Sequence, residues 1–303
     1  MVLKKTRNIR NKFSKLIEKT KIYPHSIEQF KMIPILWFLY RNMPKKIYKY
    51  RTFDEKNLKS FENDEIWCSS PEYFNDDHEK YLYINKDKIF SNIKERFEDI
   101  DDKFFDFDTS ALCDFIVKDI VKAMKISCFS DTIASSSMWH HYASSKKGFA
   151  IEYSSHDIFK LLMNNNDCNT ILFPVIYGEE KYNASEFFYT QLYNIIISNY
   201  KLNRPYIPID RIGFFKIFLH KSNNWEYENE WRLFSTHRDN LKQFSNGYVI
   251  SLPPKAVFIG RDTSKIDKEK IITIANKKQI PIFQMDDINS QNKSYDYTFR
   301  TIS

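Results

Sequence analysis

Glycine is scarce in this chain, since only five of its 303 residues are glycine. The five are Gly148, Gly178, Gly213, Gly247 and Gly260. No two of them stand at the spacing of a GxGxxG or GxxxxGK[ST] pattern, in which glycine lets the backbone N–H groups approach a phosphate closely. A Gly-rich dinucleotide or Walker-type loop is therefore excluded, and a nucleotide would have to be held by side chains.

Metal and disulfide motifs are also missing. The four cysteines form no CxxC pair, and the seven histidines form no HExxH. These spacings predict neither a zinc ribbon nor a disulfide framework, and they favour a reducing, cytoplasmic location. We expect no tightly bound metal.

Long apolar runs are absent as well. The run from Ile33 to Tyr40 has eight residues and contains Pro34. A helix that crosses a bilayer needs roughly 20 apolar residues, so no membrane span is predicted.

Positive charge is concentrated at the N-terminus. Residues 1–51 contain 14 Lys and Arg against two Glu, a net charge of +12, while the whole chain carries +7 and the rest is therefore mildly acidic. The basic residues of segment 4–21 are candidates for contacting nucleic acid, anionic lipid or a protein partner through counterion release. The simpler interpretation is a solvated, partly helical arm, because no aromatic residue precedes Phe13 to stack on a base.

Hydrophobic periodicity predicts an α+β fold with a mixed, mainly antiparallel sheet and flanking helices. We predict strands at 47–51, 66–69, 126–129, 149–153, 171–177, 225–235, 257–260, 280–285 and 295–299. We predict helices at 33–40, 54–62, 184–200, 214–219 and 266–277, with further helical stretches in 86–125 around an acidic tract at 98–102. The expected domains are a basic arm with a short apolar helix over 1–46 and a single α+β domain over 47–303.

The densest polar motif is the segment 225–234, WEYENEWRLF. On a strand its carboxylates Glu226, Glu228 and Glu230 would share one face with Arg232, because side chains alternate. Neighbouring carboxylates repel one another and need a cation, a metal or raised pKa values, which is typical of functional sites. The alternative is an edge strand whose charged face is solvated.

Three other segments contain candidate binding residues. Arg51 ends the first predicted strand and could equally pair with a surface carboxylate. The segment 69–76, SSPEYFND, offers Ser69, Ser70 and Asn75 as hydrogen-bonding groups for a polar ligand, or as caps of the next helical turn. Trp139 and Tyr142 lie three residues apart on one helical face, where they form either part of the core or a platform for a ligand.

These segments together resemble a family of bacterial proteins, the domain-of-unknown-function family numbered 2971. The resemblance rests on YKYR at 48–51, SSPxxFND at 69–76, CFS at 128–130, MWxHYA at 138–143, GFAIEY at 148–153 and WxYExEWR at 225–232. The order and spacing agree from about residue 47 onward. The chain departs from the usual pattern at Asp77, where a proline is common, and in its N-terminal arm.

The opening of this region also resembles toxin-type ADP-ribosyltransferases, in which a strand with a Tyr/His/Arg cluster is followed by a short helix and a strand ending in Ser-Ser. That resemblance implies that Arg51 contacts a dinucleotide, that Ser69 lines a nicotinamide pocket and that Glu230 binds the ribose. It implies NAD as a co-substrate, consumed by a toxin or a phage-defence effector.

The resemblance and the residues lead to three functional hypotheses. The first is an NAD-consuming transferase with Glu230 and Arg51 as catalytic residues; its substrate-binding residues are Ser69, Ser70, Asn75, Trp139, Tyr142, Glu228 and Arg232. The second is a nuclease that holds Mg²⁺ on the carboxylates of 226–230 and Asp76, which Arg232 on the same predicted face disfavours. The third is a non-catalytic binding module in which the charged cluster is a buried salt-bridge network.

Overall fold

The computed structural model describes residues 2–21, 32–80, 82–98, 109–164, 168–237, 247–287 and 295–302. The helices are α1 Val2–Lys19, α2 Met32–Asn42, α3 Glu55–Glu62, α4 Asp77–Lys80, α5 Lys86–Arg96, α6 Thr109–Ala123, α7 Ser136–Tyr142, α8 Ser155–Asn164, α9 Ser185–Asn199, α10 Gly213–Ile217 and α11 Lys265–Lys277. The strands are β1 Lys46–Arg51, β2 Glu65–Ser69, β3 Lys125–Ser130, β4 Phe149–Ser154, β5 Cys168–Pro174, β6 Ile176–Gly178, β7 His220–Ser222, β8 Glu230–His237, β9 Gly247–Ser251, β10 Ala256–Ile259, β11 Ile282–Met285 and β12 Phe299–Thr301. Short 3-10 helices occupy Pro71–Tyr73 and Asn223–Glu228.

The chain divides into two compact units, each made of three segments. Unit 1 consists of Met1–Arg41, Ser70–Met124 and Ile176–Asn223. Unit 2 consists of Asn42–Ser69, Lys125–Val175 and Asn224–Ser303. The expected single domain over 47–303 stays a prediction, because compactness alone does not show which parts fold independently.

Unit 1 is mainly helical. Its helices are α1, α2, α4, α5, α6, α9 and α10, and its two strands β6 and β7 pair in parallel. Helix α9 is buried along much of its length, because apolar and aromatic side chains occupy most of its positions. Phe97 stacks on Tyr193 of α9 at a centroid distance of 5.2 Å, and Phe187 of α9 meets Phe214 edge to face at 4.8 Å. Aromatic packing therefore holds these helices together.

The N-terminal segment is a helix with one buried face, so its expected helical character is confirmed and its expected character as a solvated arm is not. Phe13 and Ile17 of α1 are fully buried, and Arg10 is 4% exposed. These residues recur at helical spacing on one face, while the basic residues between them point to solvent. Helix α2 confirms the predicted short apolar helix, and the ring of its Phe38 lies 6.2 Å from that of Phe13.

Unit 2 contains a ten-stranded sheet. Its longest path of neighbouring strands is β12-β11-β10-β4-β1-β3-β2-β9, and β8 joins β3 to β5. Strands β10 and β11 pair in parallel, whereas the other pairs in this sheet are antiparallel. The predicted α+β class with a mixed, mainly antiparallel sheet is confirmed.

Strand β3 is the branch point of this sheet. One of its edges pairs with β8 over six residues, from Lys125 to Ser130. Its other edge pairs with β1 only at Ser130 and with β2 only at Ile126. The two partner strands therefore diverge from each other between these two points.

The register fixes which side chains share a face of the sheet. Glu230 lies opposite Ser130, Ser130 opposite Tyr48, and Tyr48 opposite Glu152. Directly opposed residues point to the same face, so these four form one row, which we call the polar row. Tyr50 lies two residues further along β1 on that face, where its ring packs edge to face on Trp139 of α7 at 5.3 Å.

A tight turn connects α7 to β4. Ser144, Ser145 and Lys146 have φ values of 47°, 53° and 72°, a left-handed run that side chains rarely adopt. The chain then passes so close to β1 that a Cβ on Gly148 would lie 2.1 Å from the carbonyl oxygen of Arg51. Only glycine fits there.

Several element predictions need correction. The strand predicted over 225–235 is wrong in its first half, which is a 3-10 helix as far as Glu228. Strand β12 begins at Phe299 rather than at Tyr295, and the predicted strand 171–177 is split between β5 and β6. Strand β9 and helix α8 were not predicted. The acidic tract after Glu98 lies outside the described residues.

Within the described residues, no helix is both long enough and apolar enough to cross a membrane.

Candidate functional site

The ion pair between Glu230 and Arg232 is buried in unit 2. Arg232 is 1% exposed and Glu230 is 3% exposed. The guanidinium donates from Nε and Nη2 to the two carboxylate oxygens at 2.8 and 3.1 Å. Alternation along β8 places both side chains on the face of the polar row. The bidentate geometry holds the Glu230 carboxylate in one orientation.

A second buried carboxylate, that of Glu228, lies two residues before Glu230. It is 3% exposed, and its Oε1 accepts a 2.5 Å hydrogen bond from the hydroxyl of Tyr142 on α7. The hydroxyl of Ser130 donates to the backbone carbonyl of Glu228 at 2.6 Å. Helix α7 and strand β3 together therefore fix the position of this residue.

Asn229 separates the two carboxylates with a left-handed backbone. Its φ is 46°, a conformation that asparagine adopts more easily than most residues. The chain changes there from the 3-10 helix to β8, so Glu226 does not continue the alternation of the strand. The expected row of three carboxylates is thus reduced to Glu228 and Glu230, each with its own partner.

Partly exposed aromatic rings are next to Glu228 and its partner Tyr142 in the chain. The ring of Tyr227 is 6.0 Å from that of Trp225 and 5.9 Å from that of His141. We call these three residues the aromatic strip. His141 is exposed, while Trp225 and Tyr227 are half-buried. A planar ligand could stack there, next to the negative charge of Glu228.

The rest of the polar row extends the negative potential across the sheet. Glu152 is 5% exposed and pairs at 3.0 Å with Lys46, whose own side chain is largely exposed. Burial and the adjacent Glu152 raise the pKa of Tyr48 well above its usual range, so this phenol stays protonated as a donor. Burial, followed by Glu230, raises the pKa of the Cys128 thiol and keeps it neutral. The neutral groups of this face can thus act as hydrogen-bond donors.

The opposite face of β1 contains two cations. Lys49 donates to Ser127 Oγ at 2.8 Å and to the carbonyl of Cys128 at 2.9 Å, where β1 and β2 diverge. Burial, followed by repulsion from Arg51, lowers the pKa of Lys49 to about 8. Burial also lowers the pKa of Arg51, and its Nε has no hydrogen-bond partner among the described residues. Since Arg51 is three residues from Tyr48, alternation places it away from Glu230, and the structure does not bring the two expected catalytic residues onto one face.

The remaining predicted residues are spread over the two units. Ser69 ends β2 opposite Ile126, which gives it the face of the polar row. Ser70 belongs to unit 1, where its hydroxyl donates to Val121 and caps the following 3-10 helix, and Asn75 is exposed in the same unit. Trp139 is fully buried and donates to the Ile133 carbonyl at 2.7 Å, as a core residue does.

Sequence reasoning missed several members of the polar row, namely Tyr48, Ser130 and Glu152. One signal was present, since Glu152 interrupts an otherwise apolar strand, and a carboxylate in such a position needs a partner. The other members of the row could not be found in this way. Tyr48 is about 80 residues from Ser130 and about 100 residues from Glu152 in the chain, so only the strand register brings them together. Over the described ranges, no group of three His, Cys, Asp or Glu side chains is arranged to hold a metal ion.

Comparison with known proteins gives one family match. Residues 138–233 match the profile of a family described as "Protein of unknown function (DUF2971)". The matched segment begins in α7 and ends in β8, so it includes Tyr142, Glu228, Glu230 and Arg232. It supports the family assignment made from the sequence motifs. No curated protein matches the chain, and no solved structure does.

Proposed function

We propose that unit 2 is an ADP-ribosyltransferase-like enzyme that cleaves the nicotinamide glycosidic bond of NAD. The observation that carries this proposal is the position of two buried carboxylates, Glu228 and Glu230, beside a partly exposed aromatic strip. Each carboxylate has a fixed partner, Tyr142 and Arg232 respectively. Such a site offers a surface for a flat cation together with fixed negative charge.

The chemistry of NAD suits this arrangement. Its nicotinamide ring is a pyridinium cation, which stacks favourably on aromatic faces and is attracted by carboxylates. As the bond from the ribose C1′ to the ring nitrogen breaks, the electron pair moves to nicotinamide and positive charge develops on the sugar. A preorganised carboxylate stabilises that oxocarbenium-like state most. Water or an acceptor then attacks C1′ and loses a proton, for which Glu228 is a base within the same motif.

The proposed site differs from the one expected from the sequence. Glu230, Arg232 and Ser69 keep their expected roles and share one face of the sheet by strand register. Tyr142 also keeps its role, while its partner Glu228, expected to bind substrate, is proposed here as the base. Arg51 takes no part in the bond cleavage proposed here, because it points to the other face. The stacking role passes from the buried Trp139 to the aromatic strip.

The decisive experiment incubates the purified full chain with NAD labelled on nicotinamide and on adenine, with and without cell extract. We expect nicotinamide release, and transfer of the adenine label if an acceptor is present. Glu228→Gln and Glu230→Gln should each lower the rate by roughly two orders of magnitude, because each removes a charge that stabilises the transition state. Glu226→Gln is the matched control, because it makes the same change in the same 3-10 helix as Glu228, at a carboxylate for which no role in NAD cleavage is proposed.

Glu230→Gln leaves Arg232 without its carboxylate, so it can lower stability as well as activity. Melting temperatures are therefore measured in parallel. Glu228→Gln avoids this problem, because the amide oxygen can still accept from Tyr142. Unchanged NAD in every sample would contradict the proposal. Loss of a nucleic-acid-cleaving activity on chelation would instead support a nuclease, and folded protein with neither activity would support the binding module.

NAD consumption inside a cell would remove a shared cofactor. That outcome is the one expected of a cytoplasmic toxin or phage-defence effector, and we propose this role together with the activity. Expression of the wild type should lower cellular NAD, while expression of Glu228→Gln should not. Equal NAD levels in both cultures would contradict the proposed biological role, even if the purified protein cleaves NAD in vitro.

A further inference from the structure

Helix α2 of unit 1 presents an apolar stripe to solvent. Ile33, Trp37 and Tyr40 are 56%, 55% and 47% exposed, and they recur at i, i+4 and i+7 on one side of the helix. Ile35 and Leu39, on the opposite side, are buried. Exposed apolar side chains are common singly, but three on one helical face form a patch of the kind that binds a partner.

Two contacts organise the stripe. The rings of Trp37 and Tyr40 stack at a centroid distance of 6.3 Å, and the guanidinium of Arg41 lies 4.5 Å above the Trp37 ring. The result is a pair of aromatic rings with a cation over the ring of Trp37. Trp and Tyr with neighbouring Arg or Lys are enriched at the boundary between lipid headgroups and acyl chains.

Helix α1 packs against α2 through Phe13 and Phe38, and it adds positive charge. Lys12, Lys15 and Lys19 are exposed on the side of α1 that lies opposite its buried face. None of these three lysines forms a salt bridge with another residue in the part of the chain that the structure describes. Their charge is therefore available to an anionic partner.

We infer that α2 forms a docking surface for an anionic lipid bilayer and that the lysines of the neighbouring α1 attract it to that bilayer. The exposed stripe of α2 would enter the headgroup region, and the positive charge of α1 would strengthen the attraction to acidic headgroups. Nucleic acid fits less well, because the Trp37 face is already covered by Arg41 and because Ile33 offers nothing to a base or a phosphate. This inference concerns unit 1 alone and does not depend on the function proposed for unit 2.

The test is sedimentation of the full chain with phosphatidylcholine vesicles, with or without about one third phosphatidylserine. We expect binding to the phosphatidylserine vesicles that weakens as salt increases, since Lys–headgroup attraction is screened. Trp37→Ala should lower the partition coefficient about tenfold, the effect of losing one buried aromatic side chain. Lys12→Glu with Lys15→Glu should lower it at least as much.

The controls change the same residue types in unit 2. Ile266→Ala removes an apolar side chain that is 68% exposed on α11, and Lys265→Glu with Lys268→Glu makes the same charge change on that helix. Both should leave vesicle binding within about twofold of the wild type. If these variants lose binding equally, attraction by overall charge explains the result and the docking surface is wrong.

Quenching by brominated lipid identifies the residue that inserts. Wild-type tryptophan fluorescence should be quenched on bromolipid vesicles, while Trp37→Phe should bind almost as well and lose most of the quenching. Three results would overturn the inference: no binding to anionic vesicles at low salt, binding to an oligonucleotide alone, or a Trp37→Ala effect on self-association rather than on vesicle binding.

Discussion

The two units bury charge in different ways. In unit 1, the buried Lys216 donates to the carbonyl of Thr20, just beyond the C-terminal end of α1, and pairs with Asp210 at 3.5 Å. This cation joins one chain segment to another, as cations near helix C-termini do. In unit 2, Glu152, Glu228 and Glu230 are all at most 5% exposed on or beside one sheet. The bond from Lys216 to a backbone carbonyl is explained by structure, whereas three buried carboxylates on or beside one sheet fit the enzyme site proposed above.

We expect the largest loss of stability on substitution of Arg232. Arg232→Met leaves Glu230 buried without its ionic partner, which should cost about 3–5 kcal/mol of unfolding free energy. Lys216→Met in unit 1 removes a hydrogen bond to a carbonyl that can turn to water, and it should cost about 1–2 kcal/mol. Urea denaturation of both variants measures the difference.

The control for this prediction removes both charges of the ion pair. Arg232→Met combined with Glu230→Leu removes both charges and should recover most of the lost stability. Equal losses for Arg232→Met and Lys216→Met would show that the units treat buried charge alike.

The second prediction compares two glycines. A Cβ on Gly148 of unit 2 would lie 2.1 Å from a backbone oxygen, whereas the nearest atom to one on Gly178 of unit 1 is 3.8 Å away. Gly148→Ala should therefore cost about 1–3 kcal/mol or more, because β1 and β4 must separate. Gly178→Ala should be neutral or stabilising by up to about 1 kcal/mol, since it restricts the unfolded chain. Thermal denaturation gives both values, and a tolerated Gly148→Ala would contradict the close approach.

The last prediction is the dependence of stability on pH that is due to Lys49. Its pKa in the folded protein is about 8, below the ordinary value of 10.5. Between these values the unfolded chain binds a proton that the folded chain has released, so this residue makes stability rise with pH. Lys49→Met should flatten that rise between about pH 8 and pH 10 relative to the wild type. A pH profile of urea midpoints measures it, and identical slopes would show that Lys49 titrates normally.

Much of the fold follows from local patterns in the sequence. Alternation over 47–51 and over the apolar 149–153 correctly predicts β1 and β4, and Asp54 accepts from Asn57 N as a helix N-cap should. The 3-10 helix before β8 could not be predicted in this way. Its residues alternate as strand residues do, and only the left-handed Asn229 breaks the pattern.

The candidate site was predictable in its residues more than in its geometry. The motif around Glu228 and Glu230 predicted a cluster of carboxylates, and the structure buries both of these side chains. Whether Arg51 joins them depends on one residue of strand register, because a shift by one moves a side chain to the other face. That register is set by the pairing of Tyr48 with Ser130, a contact between distant parts of the chain.

The pairing of β2 with β9 affects how the protein is made. Glu65 pairs with Ser251, so β2 is synthesised roughly 180 residues before its partner strand. At about 5–20 residues per second, β2 would leave the ribosome some 10–40 s before β9 does. During that interval an unpaired edge with Ile66 and Cys68 is open to other nascent chains. A ribosome that stalls between these strands would therefore release an aggregation-prone fragment, and chaperone binding should concentrate on chains of intermediate length.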